Sequence, residues 1–482
     1  MIDVTEQKRR VAVIGGGITG LTAAFYLQQQ ARNQKLPLEI VLIEATHRLG
    51  GKIQTLRKNG FIIERGPDFF FDKNQVIEDL SRQLGIADQL ISNVPGKTYV
   101  AVNNQLSVIP KGSVLGIPTE IIPFAKSDVI SWSGKFRAVC DLLLPPSNMR
   151  EDQSLGAFLR KRFGEEMVEN LIEPVLTRAF LGDIDQLSLH EMLPNLAEVY
   201  KKHRSVIRSI QKGSAKLKES SMDRTCRTLR GGLESLITAL EKSLESAIIY
   251  KGVRVEGISK VQNRMMVLLN NQNPIPVDGV IVATSHQAAT KLFAREGILK
   301  SLLDIPVNTF ATVSMIFPKN SIKRKFDGNG FFVSRNSEYS ITACSLIHRK
   351  WPQMIPENYE VLKSYVGRTG DESIVELSDS EIEKVVLQDL QSILKVDGKP
   401  IHTVVSRFKD AMPTYTIGHR KKVEQARKEL RELYPAICLA GNSYEGIGLT
   451  DCILQGENAA AEILASIFQT KQGCSQKGIS AK

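Results

Sequence analysis

Three glycines near the start of the chain have the spacing that dinucleotide-binding proteins use to hold phosphates. Gly15, Gly17 and Gly20 follow the apolar run VAVI and precede LTAAFYLQ, a pattern that predicts a strand, a turn and a helix. In such a unit the first glycine allows a tight turn, the second lets the backbone approach a pyrophosphate, and the third lets the helix pack close to the strand. The helix N-terminus would then direct unpaired N–H groups at the phosphates. The motif indicates a dinucleotide, although many proteins use a glycine run for a tight turn alone.

A carboxylate at the end of the next apolar run strengthens this interpretation. LEIVLIE predicts a second strand over Leu38–Glu44, so that residues 11–44 form a β-α-β unit. Glu44 is in the range where such folds place an acid that binds the ribose hydroxyls. Glu44 and the three glycines together predict dinucleotide binding.

Two further segments distinguish among dinucleotides. EATHRLGGK, from Glu44 to Lys52, would place the Arg48 guanidinium and two glycines beside a pyrophosphate, which combines charge with close backbone approach. A nicotinamide dehydrogenase does not need this extension. Near the other end of the chain, residues 446–448 precede a predicted helix whose N-terminus would stabilise an anionic reduced flavin. An ordinary helix start is the alternative for that loop.

The elements that must position these residues follow from hydrophobic periodicity. Buried strands are predicted at Val11–Ile14, Leu38–Glu44, Val277–Thr284 and Ala436–Ala440. Helices are predicted at Thr19–Gln30, within 154–176 and 229–246, and at Asp379–Leu394. The stretch KKHRSVIRSIQKGSAKLK, residues 201–218, is strongly basic, and an exposed loop or helix face is favoured over an anion-binding role.

Length and composition set limits on the class of protein. A chain of 482 residues exceeds one hydrophobic core, so two or three structural units are expected. The net charge of +11 suits an acidic substrate, a membrane surface or simply a solvated basic exterior. No nucleic-acid-binding module, CxxC pair or His–Cys cluster with metal-ligand spacing occurs, so neither nucleic acid nor a metal is predicted. MIDVTEQKRR is not a signal peptide, and no run reaches the about 18 to 20 apolar residues of a membrane span, so we expect a cytoplasmic protein.

Longer strings extend the argument to a family. IIERGPDFF, SVIPKGSVLGIPT, GDIDQLSL, YVGRTGDESIVELSD and SYEGIGLTDCILQG lie along a chain that matches from residue 11 to about 468. They resemble the FAD-dependent coproporphyrinogen III and protoporphyrinogen oxidases of Gram-positive bacteria, within the amine oxidase–phytoene desaturase superfamily. The resemblance implies an α/β fold with a Rossmann-like FAD-binding domain of the amine-oxidase and glutathione-reductase type, a mixed-sheet substrate domain and a helical insertion domain.

The resemblance also implies how the chain is divided. The FAD-binding domain is predicted to comprise residues 1–68, 222–300 and 405–470, and the substrate domain residues 69–111 and 301–404. The helical domain, a candidate for membrane or partner contact, is predicted at 112–221, and a flexible tail at 471–482.

Enzymes of this family remove six electrons from a porphyrinogen in three two-electron steps, and FAD passes each pair to dioxygen with release of hydrogen peroxide. The resemblance thus implies FAD as cofactor and a porphyrinogen and O2 as substrates in haem biosynthesis. Ferrochelatase is implied as a protein partner, and the inner face of the cell membrane as a peripheral contact. The members most similar to this sequence prefer coproporphyrinogen III, whose four propionates suit a positively charged protein.

The family's site residues transfer to matching positions of this sequence. The implied FAD-binding residues are Gly15, Gly16, Gly17, Ile18, Thr19, Gly20, Glu44, Ala45, Arg48, Gly51, Lys52, Gly66, Pro67, Asp68, Phe69, Val255, Phe408, Gly446, Ile447 and Gly448. Relatives commonly have tryptophan at Phe408 and a small residue at Arg178. For the substrate propionates we predict Lys73 and Arg178, with an exposed Arg178 without that role as the alternative. No catalytic base stands out.

Two rival functions remain at the level of sequence. One is a superfamily enzyme acting on an amine or a carotenoid, although neither an aromatic pair nor a long apolar tunnel is evident. The other is a non-catalytic binding protein of this fold, like the Rab GDP dissociation inhibitors. The intact set of Glu44, Arg48 and residues 446–448 favours a flavin enzyme over that second rival.

Overall fold

The computed structural model describes residues 8–102, 104–149, 151–212, 226–262, 264–270 and 272–468. The predicted flexible tail, the end of the basic stretch at 213–218 and the predicted domain limit at 221 lie outside the described residues.

A five-stranded parallel sheet forms the centre of the first layer. Its spatial order is Ala247–Lys251, Leu38–Glu44, Arg9–Ile14, Gly279–Val282 and Ile437–Leu439. The inner strands are buried on both faces, which explains why they appear in the sequence as unbroken apolar runs. The strand and helix that begin this sheet agree with the predicted β-α-β unit.

Both faces of the parallel sheet are covered. On one side, Val11 and Val13 pack against the helices Ile18–Gln34, Val76–Gln83, Glu234–Ser243 and Leu449–Phe468. On the other, Ala12 and Ile14 pack against the helices His286–Leu292 and His419–Leu433 and a small antiparallel sheet of Val255–Val261, Arg264–Leu269 and Ile275–Val277. This three-layer arrangement is Rossmann-like.

One predicted strand is wrong in its extent. Val277–Thr284 was expected to be continuous, but the chain leaves the antiparallel sheet after Val277 and joins the parallel sheet at Gly279. Asp278 makes the change of direction because its carboxylate accepts hydrogen bonds from the Arg10 N–H at 2.8 Å and from Arg9 Nη1 at 2.9 Å. Because Asp278 is hydrogen-bonded to the first strand, it cannot also continue the antiparallel pairing of the strand Ile275–Val277.

A seven-stranded mixed sheet forms the second region. Its order is His402–Pro413, Val307–Pro318, Tyr359–Val366, Ile341–Leu346, Gly328–Val333, Lys97–Val102 and Gln105–Val108. The helix Asp379–Leu394, with the predicted bounds, packs Ile382, Val386 and Leu390 on this sheet. The strand His402–Pro413 crosses the predicted domain limit at 405, and the domain limits stay a prediction.

A helical region with its own core is inserted between these parts of the chain. It contains the helices Ile121–Ala125, Trp132–Val139, Leu155–Phe163, Glu165–Met167, Glu173–Phe180, Leu189–Met192, Pro194–His203 and Val206–Lys212, with a π-helical turn at Val168–Ile172. A buried ion pair between Arg162 and Asp141, 2.5 Å apart, joins its halves, and Ser205 donates to the same carboxylate.

These three regions confirm the predicted fold class. Short two-stranded ribbons complete the structure at Thr55–Lys58 with Phe61–Glu64, Leu90–Ser92 with Arg227–Leu229, and Ser113–Val114 with Ile117–Pro118. No helix among the residues described above has both the length and the apolar character needed to cross a bilayer.

Candidate functional site

The glycine turn has the geometry that its spacing predicts. Gly15 has φ +106°, and a Cβ on Gly20 would overlap the Gly15 carbonyl oxygen. A Cβ on Gly17 would meet no atom within 4 Å, so this backbone faces open space at the start of the helix Ile18–Gln34. The turn is tightly packed at Gly20 and open at Gly17, so a phosphate group can approach the backbone at Gly17.

Glu44 ties the end of its strand to this turn. Its carboxylate accepts hydrogen bonds from the Gly16 N–H at 2.7 Å and from the Thr46 N–H and hydroxyl at 2.8 Å each. A carboxylate offers about four lone-pair sites, so an acceptor position is left over for a ligand hydroxyl. The predicted contact with ribose stays a prediction.

The loop that follows lies against the glycine turn. Gly50 donates its N–H to the Gly16 carbonyl at 2.8 Å, and a Cβ on Gly51 would lie 3.3 Å from the Gly17 Cα. Arg48 holds this loop through the carbonyls of Leu49 and Ile53, at 2.9 and 3.0 Å, and through that of Gly51. The guanidinium therefore shapes the loop, and its predicted contact with a phosphate stays untested. Ala45 is exposed beside it.

Lys52 stands at the junction between this loop and the segment 66–69. Burial lowers the pKa of Lys52, with Cys452 acting in the opposite direction. Lys52 is partly exposed, and within the described ranges no acceptor takes a hydrogen bond from its Nζ, so its charge is available to a ligand. A Cβ on Gly66 would overlap the Lys52 carbonyl and lie 3.7 Å from the Phe408 ring. Pro67 and Phe69 are partly buried next to it, and Phe408 stacks on Phe310 with 5.0 Å between centroids.

The C-terminal loop reaches the same place from the far end of the chain. Gly446 has φ +85°, and the Gly448 N–H donates to Asp451 at 3.1 Å just before the helix Leu449–Phe468. This helix packs so closely on Ile18–Gln34 that a Cβ on Gly456 would overlap Thr22. Cys452, in the first turn of this helix, lies beside Thr19 at the N-terminal end of the first helix, and residues 446–448, with Ile447 partly buried, directly precede that turn.

Val255 lies at the other end of the site. The segment before it follows the end of the Leu38–Glu44 strand, since the Val253 N–H donates to the Glu44 carbonyl at 3.0 Å and the Gly252 N–H to that of Thr46 at 2.8 Å. Val255 itself is buried at the start of its strand. This position, close to Glu44, is compatible with the predicted contact to adenine, which stays a prediction.

A cluster of buried charges lies directly beneath the segment 66–69. Asp68 is 5% exposed and accepts hydrogen bonds from the Lys363 ammonium and the Tyr365 hydroxyl. Lys363, 1% exposed, also donates to the carbonyls of Glu64 at 2.7 Å and Gly66 at 2.8 Å. Burial alone would raise the pKa of Asp68, but Lys363 and Arg178 hold it below its ordinary value. Asp68 is therefore an anion in the folded protein.

Arg178 joins this cluster from the helical region. Its guanidinium carbon lies 3.7 Å above the Tyr365 ring centroid, a cation–π geometry, on the helix Glu173–Phe180. It is only partly exposed, and its contact with a substrate propionate stays a prediction. Lys73 begins a short turn, Lys73–Gln75, and its contact with the substrate stays a prediction.

Sequence reasoning missed Lys363 and Tyr365. Both lie on the strand YEVLKSYV, in which Lys363 is the one charge of the segment VLKSYV, after Glu360 near the start of the strand. Because lysine is almost never fully buried unless paired, this exception was the signal that could have found it.

The residues present fit a flavin dinucleotide. Gly17 faces open space at the start of the helix Ile18–Gln34, and Lys52 is a partly buried cation without a hydrogen-bond acceptor among the described residues. A Rossmann-like sheet with this cradle, joined to a mixed sheet that supports the segment 66–69, defines a flavin-dependent oxidoreductase. Comparison with known proteins gives the particular family.

The profile of the family described as flavin containing amine oxidoreductase matches residues 18–464, and the chain belongs to this family. The membership confirms the predicted FAD cofactor. A coproporphyrinogen III oxidase of Bacillus subtilis is 41% identical over 469 residues, which cover 96% of this chain and all of the relative. Its counterpart in Staphylococcus aureus is 35% identical over 468 residues, 95% of this chain and all of that one.

A solved structure agrees in fold. A protein assigned as a protoporphyrinogen oxidase from Exiguobacterium superposes with a TM-score of 0.86 at 34% identity, over 94% of this chain and 98% of the other. The resemblance predicted from the quoted strings is thus confirmed.

Proposed function

We propose that this protein oxidises coproporphyrinogen III to coproporphyrin III in haem biosynthesis, with protoporphyrinogen IX as a second substrate and O2 as the terminal acceptor. The observation that carries the proposal is the 41% identity to a coproporphyrinogen III oxidase along the full length of that relative. Each oxidation removes a hydride and a proton from the porphyrinogen. O2 receives the two electrons and two protons and is released as hydrogen peroxide.

The chain's own residues hold and orient the reactants. Bound FAD would supply the two-electron acceptor for each step. Residues 15–20 and the helix that follows would hold its pyrophosphate, and Glu44 and Val255 its adenosine. The flavin end would lie among residues 66–69, Phe408 and 446–448, with Lys52 as a nearby positive charge.

The charge beneath the segment 66–69 suits an anionic substrate. Arg178, Lys363 and Asp68 together leave a net positive charge at this place, and Asp68 is already bound by Lys363 and Tyr365. We assign Arg178 to a substrate propionate on this ground, and we propose Lys73, on the turn that follows the segment 66–69, as a second propionate contact. A hydrogen bond in which both partners are charged is stronger than a neutral one, so these residues would contribute to affinity.

Aerobic turnover tests the proposal. Purified FAD-loaded protein is mixed with coproporphyrinogen III or protoporphyrinogen IX in air, and porphyrin fluorescence and hydrogen peroxide are followed. We expect porphyrin to form faster from coproporphyrinogen, with three peroxides for each porphyrin. Rates equal to those of the heat-denatured protein with both substrates would overturn the proposed function.

We also propose that the helical region contacts the inner face of the cell membrane. Ile121, Ile122, Trp132, Phe136 and Leu143 are between 64% and 85% exposed, a large apolar surface for one region. The helices Pro194–His203 and Val206–Lys212 carry exposed basic residues, and Gln211 donates to the Thr119 carbonyl at 2.6 Å, which joins them to this surface. Apolar and basic groups side by side suit an anionic lipid surface.

Vesicle sedimentation tests this contact. We expect the protein to sediment with phosphatidylglycerol vesicles and far less with phosphatidylcholine vesicles, and the double variant W132S/F136S to lose the binding. Because both side chains are exposed, this variant should keep its melting temperature. Absence of vesicle binding, together with co-purification of the protein with ferrochelatase that depends on Trp132 and Phe136, would assign the surface to that predicted partner instead.

A further inference from the structure

Lys350 is a half-buried cation without a carboxylate partner. It ends the short helix Ile347–Lys350, and its ammonium lies 3.6 Å from the centroid of the Phe69 ring. Across the described parts of the chain, its Nζ makes neither a hydrogen bond nor an ion pair. Burial lowers the pKa of Lys350, whereas Cys226 and Asp68 act in the opposite direction and the nearby cations Arg178 and Lys363 lower it further. Lys350 therefore carries a charge that Asp68 stabilises from a distance and that no carboxylate of the described residues binds directly.

The charges around Lys350 leave a positive excess. Lys350, Arg178 and Lys363 interact electrostatically at this place, and Asp68 is the carboxylate that faces them. Asp68 is engaged by Lys363 and Tyr365, so Arg178 and Lys350 are left without a carboxylate bound directly to them among the described residues. Burying an unpaired charge is costly, which makes a bound anion the natural complement of the pair.

The position of Lys350 relates it to the reaction. Phe69, whose ring seats the ammonium, follows Gly66, Pro67 and Asp68, the segment assigned to the flavin end of the cofactor. The aromatic face fixes the ammonium without neutralising it. A cation held in this way is preorganised to receive a carboxylate from a ligand that lies against the segment 66–69.

We infer that Lys350 binds a propionate carboxylate of the porphyrinogen and thereby contributes to the selection of anionic substrates. The inference rests on the proposed function for the identity of the ligand, and it adds a residue to which neither the sequence motifs nor the resemblance assigned a role. The bond is a charge-assisted hydrogen bond from the Lys350 ammonium to the carboxylate, and no covalent step is involved.

Binding of coproporphyrin III, the stable product, provides the direct test. The FAD-loaded protein is titrated with coproporphyrin III and with its neutral tetramethyl ester, and Kd is measured by porphyrin fluorescence at low and high salt. K350M and K350Q remove the charge, K350R keeps it, and K399M removes an exposed lysine charge elsewhere as the matched control.

We expect K350M and K350Q to raise Kd for coproporphyrin III about tenfold and to reduce its salt dependence, with no change for the ester. KM for coproporphyrinogen should rise by a similar factor while kcat changes less than threefold, and K350R should restore most of the affinity. K399M should match the wild type.

Unchanged Kd and KM in both uncharged variants would overturn the inference. A lower melting temperature and a lower flavin content without a change in Kd would also overturn it, because Lys350 would then only stabilise the fold by packing against Phe69. If the wild type binds coproporphyrin III but oxidises neither porphyrinogen, the proposed function is refuted. The Kd values of the Lys350 variants would then still show whether Lys350 binds a carboxylate of the porphyrin.

Discussion

The glycine turn and the cluster around Asp68 hold the two ends of the site in opposite ways. The turn is made of backbone groups and open space, with Gly15, Gly17 and Gly20 within six residues of each other. The cluster is made of buried charged side chains from segments about 300 residues apart, with Asp68 bound by Lys363. One added carbon atom is enough to disrupt the glycine turn, whereas the cluster is destabilised when one of its charged side chains is removed.

The largest effect is expected in the turn. Gly20→Ala adds a Cβ that overlaps the Gly15 carbonyl, a backbone atom that cannot move away cheaply. We expect a loss of about 3 kcal/mol or more in the free energy of unfolding and a protein that purifies without flavin. Thermal denaturation and flavin absorbance measure both.

Gly17→Ala is the matched comparison within the same turn. Its Cβ meets no protein atom within 4 Å, so the apoprotein should keep its melting temperature while flavin binding falls at least about tenfold. A Gly17→Ala protein with full flavin content would contradict the view that the open space is where the phosphates bind.

The next largest effect, a loss in the free energy of unfolding, is expected from substitutions in the cluster around Asp68. Asp68→Asn leaves the Lys363 ammonium buried without its carboxylate, and breaking a buried pair costs about 3 to 5 kcal/mol. Lys363→Met should cost a comparable amount by stranding Asp68. In urea denaturation the double variant should lose less than the sum of the two, and simple additivity would show that the pair is not energetically coupled.

A smaller, kinetic effect is expected at the edge of the cluster. Arg178→Ala removes a guanidinium that stacks on Tyr365 and lies near Asp68. We expect KM for coproporphyrinogen to rise about tenfold with little change in kcat, because the residue binds substrate in our account. Arg178→Lys should recover part of the affinity, and an unchanged KM in Arg178→Ala would sink the propionate contact.

A further effect, a change of stability with pH, is expected at Glu64. Burial raises the pKa of Glu64 to about 7, with the Leu233 N–H and Lys363 opposing the shift. A carboxyl whose pKa is raised on folding stabilises the fold below its ordinary pKa and loses that contribution as pH rises through about 7.

The side chain at position 64 does not titrate in the variant Glu64→Gln. The free energy of unfolding of this variant, relative to that of the wild type, should therefore increase by up to about 3 kcal/mol between pH 5 and pH 8. Urea denaturation at both pH values measures this gain. Glu432→Gln, at an exposed position, is the control. A gain that is equal at both pH values would mean that Glu64 keeps its ordinary titration.

The two regions also differ in how far the sequence could predict them. The strand Leu38–Glu44 and the helix Asp379–Leu394 were predicted with their observed bounds, since apolar period and capping residues are local properties of the chain. The glycine turn was predicted for the same reason. The split at Asp278 was not, because it depends on hydrogen bonds to Arg9 and Arg10, about 270 residues away.

The cluster around Asp68 was out of reach for the same physical reason. Asp68 was assigned to the cofactor by resemblance, and Arg178 was predicted with an open alternative. Nothing in the sequence pairs Asp68 with Lys363 or places Lys350 over Phe69, because these contacts form only when the segment 66–69 packs against the mixed sheet and the helix Ile347–Lys350. A lone lysine in an apolar strand indicates only that some partner exists.

Anaerobic mixing of the yellow protein with coproporphyrinogen III tests the central claim most directly. Our account predicts that the flavin absorbance bleaches while porphyrin fluorescence rises, with one porphyrin formed for every three flavins reduced, and that air restores the flavin colour. A flavin that stays oxidised in the presence of excess coproporphyrinogen and of excess protoporphyrinogen would contradict the account.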